Sequence, residues 1–152
     1  MDFMKKYEYW LNSDSIDEKD KEELRGLKDN PKEIEDRFFK DLSFGTGGIR
    51  GVRGIGTNRI NKYVIRKATQ GLANYMLTFN EKEAKEQGII IAHDCRIGSR
   101  EYALNTARVM AANGIKAYIY EDLRSTPELS FGVRYKGTMA GIVVTASHNP
   151  VE

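Results

Sequence analysis

The stretch GIIIAHDC, residues 88–95, decides the fold class. An unbroken apolar run follows a glycine and ends in polar residues, which is typical of a strand buried on both faces. Similar strand patterns occur in IKAYIYE (115–121) and AGIVVTAS (140–147), and helical patterns separate the three runs. This alternation predicts an α/β domain with helices on both faces of the sheet. We expect a three-layer α/β/α sandwich with a mixed, mostly parallel sheet of about four strands.

Helix boundaries are predicted from residues that favour caps. Asn30 with Pro31 suits a helix start, and so does the run Ser125–Glu128. Ser15 with Glu18 predicts a capping box, and Ser99 predicts the cap of the helix after residue 95. Between the glycine-rich segment and residue 88, one helix is expected to bury a face formed by Val64, Ala68, Leu72, Tyr75, Met76 and Phe79.

The first forty residues are rich in Glu, Lys and Asp, with apolar residues at helical spacing. The apolar stripe of the last helix there is formed by Ile34 and Phe38, and Phe39 is a candidate third member. We therefore expect a helical extension over residues 1–41, followed by the α/β domain over 42–152.

Composition excludes several classes of protein. The 152 residues include 40% hydrophobic and 30% charged residues, with a net charge of +2. The sequence has no long basic run, so we do not expect it to bind nucleic acid. It also has no apolar run long enough to span a membrane or to act as a secretory signal. Cys95 is the single cysteine, so an internal disulfide is impossible. We expect a cytoplasmic protein.

The glycine-rich stretch FGTGGIRGVRGIG, residues 44–56, leaves two interpretations open. Small residues let the backbone approach a ligand, and the interleaved Arg50 and Arg53 could bind an anion such as phosphate. Alternatively, the segment is a twisted or bulged hairpin with solvated arginines. Neither a Walker sequence nor a dinucleotide fingerprint is present.

Polar residues follow two of the predicted strands at the edge where α/β sheets bind ligands. TASHNP, residues 145–150, places Ser147 beside His148, but the G-x-S-x-G elbow of many serine hydrolases is missing. A turn capped by Ser147 is the structural alternative. His93, Asp94 and Cys95 lack metal-ligand spacing, so we expect Asp94 to pair with Arg96 or to cap the next helix.

Together these segments resemble the first domain of the alpha-D-phosphohexomutases, the phosphoglucomutase and phosphomannomutase superfamily. The resemblance is carried by TASHNP, by FGTGGIRG (residues 44–51) and by the D-x-R-x-x-S string formed by Asp94, Arg96 and Ser99. The helical extension and GTNRIN, residues 56–61, are most similar to the bacterial alpha-phosphoglucomutase branch. The likeness covers essentially the whole chain.

The resemblance implies a phosphoenzyme that isomerises sugar phosphates through a glucose 1,6-bisphosphate-type intermediate. Ser147 would carry the phosphoryl group and bind Mg²⁺ through that phosphate. His148 would hydrogen-bond within the reacting group, and Arg50 and Thr46 would bind phosphate. The substrate would be a hexose or pentose monophosphate, with glucose 1-phosphate and glucose 6-phosphate as the leading pair.

The resemblance also implies that this chain is the first of four domains. The D-x-D-x-D carboxylates expected to hold Mg²⁺ are missing from the sequence, and the expected general acid/base would follow Glu152. We expect domains II–IV to complete the site and this segment alone to be inactive. Gly47 replaces a serine found in some members, so no role is carried over to it. The alternative is a non-catalytic anion-binding module.

Overall fold

The computed structural model describes residues 2–146. The described chain forms two compact units, residues 2–64 and residues 65–146. No helix within this described part combines the length and the apolar character that crossing a bilayer requires.

The first unit consists of three short helices, a small hairpin and a loop. Its elements are α1 (Phe3–Asn12), α2 (Glu18–Arg25), α3 (Pro31–Phe38), β1 (Phe44–Gly45) and β2 (Gly48–Ile49). The rings of Tyr7 and Trp10 contact the fully buried Phe38 ring edge-on, at centroid distances of 5.8 and 5.7 Å. Leu24 and Ile34 complete the centre of this core. The helical extension predicted from the sequence is therefore present.

Cap predictions in the first unit have mixed outcomes. Asn30 caps α3 as predicted, because its side chain accepts a hydrogen bond from the Glu33 N–H and Pro31 follows it. The prediction for Ser15 was wrong, since Asp17 occupies the N-cap position of α2. Ser15 instead donates its own N–H to the Ser13 hydroxyl in the preceding turn.

The loop after β2 is tied to the helices by buried polar side chains. Asn61 donates to the carbonyl oxygens of Gly54 and Gly56, at 2.9 and 2.8 Å, and accepts from the N–H of Val64 at 2.9 Å. Arg59, one of the arginines near the glycine-rich segment, is buried and forms an ion pair with Asp36. Its guanidinium therefore stabilises the fold and is not presented to solvent.

The second unit is a three-layer α/β/α arrangement. Its elements are α4 (Lys62–Gln87, which begins at the end of the first unit), β3 (Ile89–His93), α5 (Ser99–Ala112), β4 (Ala117–Ile119), α6 (Thr126–Lys136) and β5 (Ala140–Val144). The strands are parallel in the order β4-β3-β5, so β3 is central. Five consecutive buried residues in β3 agree with the continuous apolar run in the sequence.

Alternate residues of β3 face two different cores. Ile89 and Ile91 pack with small and flexible residues of α4 and α5, among them Ala73, Met76, Ala103 and Met110. Ile90 and Ala92 pack against Leu129 of α6 on the opposite face. These two cores confirm the predicted α/β class and its three layers. In the described chain the parallel sheet has three strands, compared with the predicted number of about four. The antiparallel pair β1–β2 forms a separate two-stranded sheet.

The predicted buried face of α4 was partly wrong. Tyr75 and Phe79 are 65% and 69% exposed, and their rings stack on each other 6.1 Å apart. In the first segment of α4 the buried positions are Thr69, Ala73 and Met76, whose spacing of four and three residues defines a stripe beside the aromatic pair, and Ala84 is buried in the second segment. Asn80 interrupts the helix with extended backbone angles, so the aromatic residues end the first of its two segments.

Candidate functional site

The carboxyl edge of the parallel sheet brings two of the predicted segments together. β3 and β5 pair in register as far as His93 and Val144. Beyond this last pair the Asp94 N–H donates to the Val144 carbonyl oxygen at 3.0 Å. The sheet therefore holds Asp94 beside the segment that begins at Thr145, although 50 residues lie between them in the chain.

The Asp94 carboxylate binds both segments. Its Oδ1 accepts hydrogen bonds from the Arg96 N–H at 3.0 Å and from the Ser99 hydroxyl at 2.5 Å. Its Oδ2 accepts from the Ala146 N–H at 3.1 Å, and the Thr145 side chain also hydrogen-bonds to this carboxyl group. One side chain thus links the turn before α5 to the residues that follow β5.

These contacts decide the charge of Asp94. Partial burial by itself would raise the pKa of the carboxyl group, because burial disfavours the charged form. The hydrogen bonds from Ser99, Arg96, Thr145 and Ala146 outweigh that effect and lower its pKa below the usual value. Asp94 is therefore an anion at neutral pH and can only accept hydrogen bonds.

The start of α5 differs from the sequence-based prediction. Gly98 occupies the N-cap position with a left-handed φ of 91°, where a side chain would be strained, and Ser99 is the first helical residue. The Ser99 hydroxyl bonds to Asp94 and does not cap the helix. Asp94 contacts Arg96 through the Arg96 backbone N–H, so this contact does not test the expected pairing of their charges.

His93 occupies the last position of β3 and is buried. Its Nδ1 lies 3.0 Å from the Asp94 carbonyl oxygen, while its Nε2 has no hydrogen-bond partner among the described residues. Cys95 is exposed. Within residues 2–146, no group of three or more His, Cys, Asp or Glu side chains is arranged to hold a metal ion.

The glycine-rich segment begins as a short hairpin in the first unit. Phe44 pairs with Ile49 and Gly45 with Gly48, so Thr46 lies in the turn and Arg50 directly follows the second strand. Thr46 and Arg50 are both exposed. The hairpin interpretation is thus correct for residues 44–49, and it leaves both side chains accessible for anion binding.

Ser147 and His148 lie outside the described residues. The structure describes the chain as far as Ala146, whose N–H is bound by Asp94. The proposed roles of Ser147 and His148, and those of Thr46 and Arg50 in binding phosphate, stay predictions.

Sequence reasoning missed the bond between Asp94 and the segment after β5. The two partners are 52 residues apart, and only the pairing of β3 with β5 brings them together. The sequence did carry one signal, since polar residues follow both predicted strands at their carboxyl ends.

Comparison with known proteins gives a consistent family. The family model described as phosphoglucomutase/phosphomannomutase, alpha/beta/alpha domain I, matches residues 41–152. A phosphoglucomutase of Staphylococcus haemolyticus is 44% identical over 116 residues, which cover 76% of this chain and 20% of the relative. A phosphoglucomutase of Staphylococcus aureus strain USA300 is 41% identical over 129 residues, covering 84% of this chain and 23% of the relative.

The chain thus spans about a fifth of the length of the curated relatives that it matches. No solved structure matches it significantly. Because the family model covers well over half of the chain and ends in the segment that contains TASHNP, the chain belongs to the phosphoglucomutase/phosphomannomutase family, whose alpha/beta/alpha domain I it contains.

Proposed function

We propose that residues 42–152 are the first domain of a sugar phosphomutase that transfers phosphoryl groups through Ser147. The observation that carries the proposal is the family match over residues 41–152, which includes both TASHNP and FGTGGIRG. The helical segment 1–41 precedes this domain, and domains II–IV follow it in the same polypeptide. The preferred substrate pair is glucose 1-phosphate and glucose 6-phosphate.

In the proposed reaction, a sugar hydroxyl attacks the phosphorus atom of phosphorylated Ser147. The new bond joins the sugar oxygen to phosphorus, and the bond between phosphorus and Ser147 Oγ breaks. A base takes the proton of the sugar hydroxyl, and Ser147 Oγ gains a proton. The product is a sugar bisphosphate, which then returns its other phosphoryl group to Ser147 and leaves as the isomeric monophosphate.

Positive groups are needed because a phosphate adds about −1.5 to −2 charges. Arg50 is assigned to this phosphate, since a guanidinium matches the geometry of phosphate oxygens and the hairpin leaves Arg50 exposed. Thr46 adds a hydroxyl donor, and His148 hydrogen-bonds to the reacting group.

Mg²⁺ is the proposed metal cofactor. As the resemblance to the family implies, the phosphate on Ser147 would be its ligand from this chain, and other domains would supply the carboxylates. When bound, the ion would neutralise charge that develops on the transferred phosphoryl group.

Steady-state kinetics of the intact polypeptide tests the proposal with a panel of hexose and pentose monophosphates. Ser147→Ala is expected to abolish turnover, whereas Arg50→Lys should lower kcat/KM about 100-fold because the bidentate contact is lost. Arg134→Lys is the matched control, since Arg134 is an exposed arginine on α6. Full turnover by Ser147→Ala would refute the proposal, and tight anion binding without any turnover would favour the binding-module alternative.

A further inference from the structure

Asp94 accepts hydrogen bonds from residues on both sides of the β3–β5 junction. On one side it binds Arg96 and Ser99, which lead into α5. On the other side it binds Thr145 and Ala146, which lead directly to Ser147. The covalent chain therefore connects one of its hydrogen-bond donors to the proposed phosphoryl carrier.

The arrangement is anchored to the most buried part of the sheet. All five residues of β3 are buried, and the Asp94 N–H extends the β3–β5 ladder by one further hydrogen bond. Ser99 is itself 6% exposed and begins a helix of 14 residues. A carboxylate held by such elements can restrain the backbone that it binds.

The four donors also explain why an aspartate suits this position. A carboxylate has two oxygens that accept several hydrogen bonds, and it has no donor of its own when ionised. Asparagine has nearly the same shape, but one of its two terminal atoms would be an NH₂ group facing an N–H or hydroxyl donor. Asp94→Asn therefore removes one side of the bridge while changing little in volume.

We propose that Asp94 is a positioning residue that holds the Thr145–Ala146 backbone at the carboxyl edge of the sheet and thereby fixes the place from which Ser147 reacts. This inference rests on the proposed function of Ser147. In this role Asp94 acts through the backbone of residues 145 and 146 and takes no part in the bond changes.

Hydrogen exchange of the 152-residue chain tests the structural half of the proposal. In Asp94→Asn, the Ala146 amide should exchange about tenfold faster than in the unmodified chain, while the amides of β3 stay protected. Asp36→Asn is the matched control, because Asp36 binds Arg59 in the first unit and lies outside the second. Asp94→Ala removes both oxygens, so unchanged exchange at Ala146 in both Asp94→Asn and Asp94→Ala would overturn the proposal.

Kinetics of the intact polypeptide tests the functional half. A displacement of about 1 Å in a reacting group can reduce the rate about 100-fold, so Asp94→Asn should lower kcat by that order with KM changed less than about threefold. Ser99→Ala removes a single donor and should give a smaller loss of kcat. It also keeps the proposal testable if Asp94→Asn fails to fold.

The two proposals fail in distinguishable ways. If Ser147→Ala is inactive while Asp94→Asn and Ser99→Ala both keep the full kcat, the positioning role is wrong and the role of Ser147 stands. If Ser147→Ala itself turns over normally, the proposed function fails. An equal loss of kcat in Asp36→Asn would show that general destabilisation explains the effect, and it would also overturn the positioning role.

Discussion

At the residue scale, the carboxyl group of Asp94 combines partial burial with several hydrogen bonds to its charged form. Burial alone would raise its pKa, but donors on both flanking segments lower it. The protonated form keeps fewer of these bonds, because it carries a hydrogen on one oxygen. Acid should therefore weaken the link between β3 and residues 145–146.

This lowered pKa predicts how stability depends on pH. A carboxyl group whose pKa is lower in the folded than in the unfolded state stabilises the fold above its unfolded pKa, for which the reference value is 3.8. The stabilisation is lost as pH falls through the folded value. Urea unfolding of the chain and of Asp94→Asn should thus differ by about 1–2 kcal/mol at neutral pH, since solvent weakens partly exposed bonds.

The same difference should shrink steadily as the pH is lowered below about 4, where the carboxyl group of the unfolded chain becomes protonated before that of the folded chain. A difference that stays constant from neutral pH to strong acid would contradict the assigned hydrogen bonds.

Single residues were predictable where their partners are close in sequence. The helix start predicted at Ser125–Glu128 is confirmed, where Ser125 and Glu128 form a capping box, and so is the cap at Asn30. Ser99 was wrongly assigned as a cap, since its hydroxyl has a stronger acceptor in the Asp94 anion. Because Asp94 lies only five residues before Ser99, the local pattern contained both roles for this hydroxyl but did not decide between them.

At the element scale, the end of α3 places two neighbouring phenylalanines in different environments. Phe38 is fully buried between the rings of Tyr7 and Trp10, whereas Phe39 is 49% exposed at the end of the helix. Helical geometry turns successive residues by about 100°, so only one of the two can face the core.

Phe38→Ala should therefore lower the free energy of unfolding of the first unit by about 3–5 kcal/mol, because a large cavity replaces the ring. Phe39→Ala is the matched control and should change it by less than about 1 kcal/mol. Urea titration followed by fluorescence measures both, since Trp10 is the single tryptophan and lies in this core. Similar losses in the two variants would contradict the described packing.

Two glycines around α4 provide a second paired prediction. Gly88 precedes β3 with a φ of 68°, and an added Cβ would lie 2.2 Å from the Lys116 carbonyl oxygen. Gly71 lies within α4, where an added Cβ would have no atom within 4 Å. A side chain at position 88 would thus overlap the backbone of residue 116, whereas a methyl group at position 71 would contact no other atom.

We expect Gly88→Ala to destabilise the second unit by at least about 2 kcal/mol through strain and overlap. Gly71→Ala should stabilise it by about 0.5–1 kcal/mol, because alanine favours the helix. Urea unfolding followed by far-UV circular dichroism compares them, and a stable Gly88→Ala protein would show that the β3–β4 junction is described incorrectly.

The elements were largely predictable because their patterns are periodic. The strands at 89–93, 117–119 and 140–144 lie within the predicted runs, and the intervening helices follow. The break at Asn80 and the exposure of Tyr75 and Phe79 were not predicted. An aromatic pair at i and i+4 resembles a buried stripe in sequence, and only the adjacent stripe of smaller residues packs against the sheet.

At the scale of the whole molecule, the chain has two compact units and belongs to a family whose relatives are about five times longer than the matched segment. The proposed function assigns the metal-binding carboxylates and the general acid/base to other domains. If that assignment is right, the 152-residue chain alone should not interconvert glucose 1-phosphate and glucose 6-phosphate. A coupled assay checks this, and robust turnover would contradict the proposed division of the site among domains.

Family membership could be inferred from the sequence because TASHNP, FGTGGIRG and the D-x-R-x-x-S string are short and local. The way in which the site is completed could not, since it requires contacts between distant segments and other domains. The bond from Asp94 to Ala146 illustrates this limit, because it exists only once β3 and β5 have paired.

The most direct test is phosphopeptide mass spectrometry of the intact polypeptide before and after incubation with glucose 1-phosphate. We predict a phosphate on Ser147 that disappears from the protein and is recovered in sugar phosphate, with no such phosphate in Ser147→Ala. An active enzyme whose Ser147 never carries phosphate, or carries a phosphate that the sugar does not remove, would contradict the account.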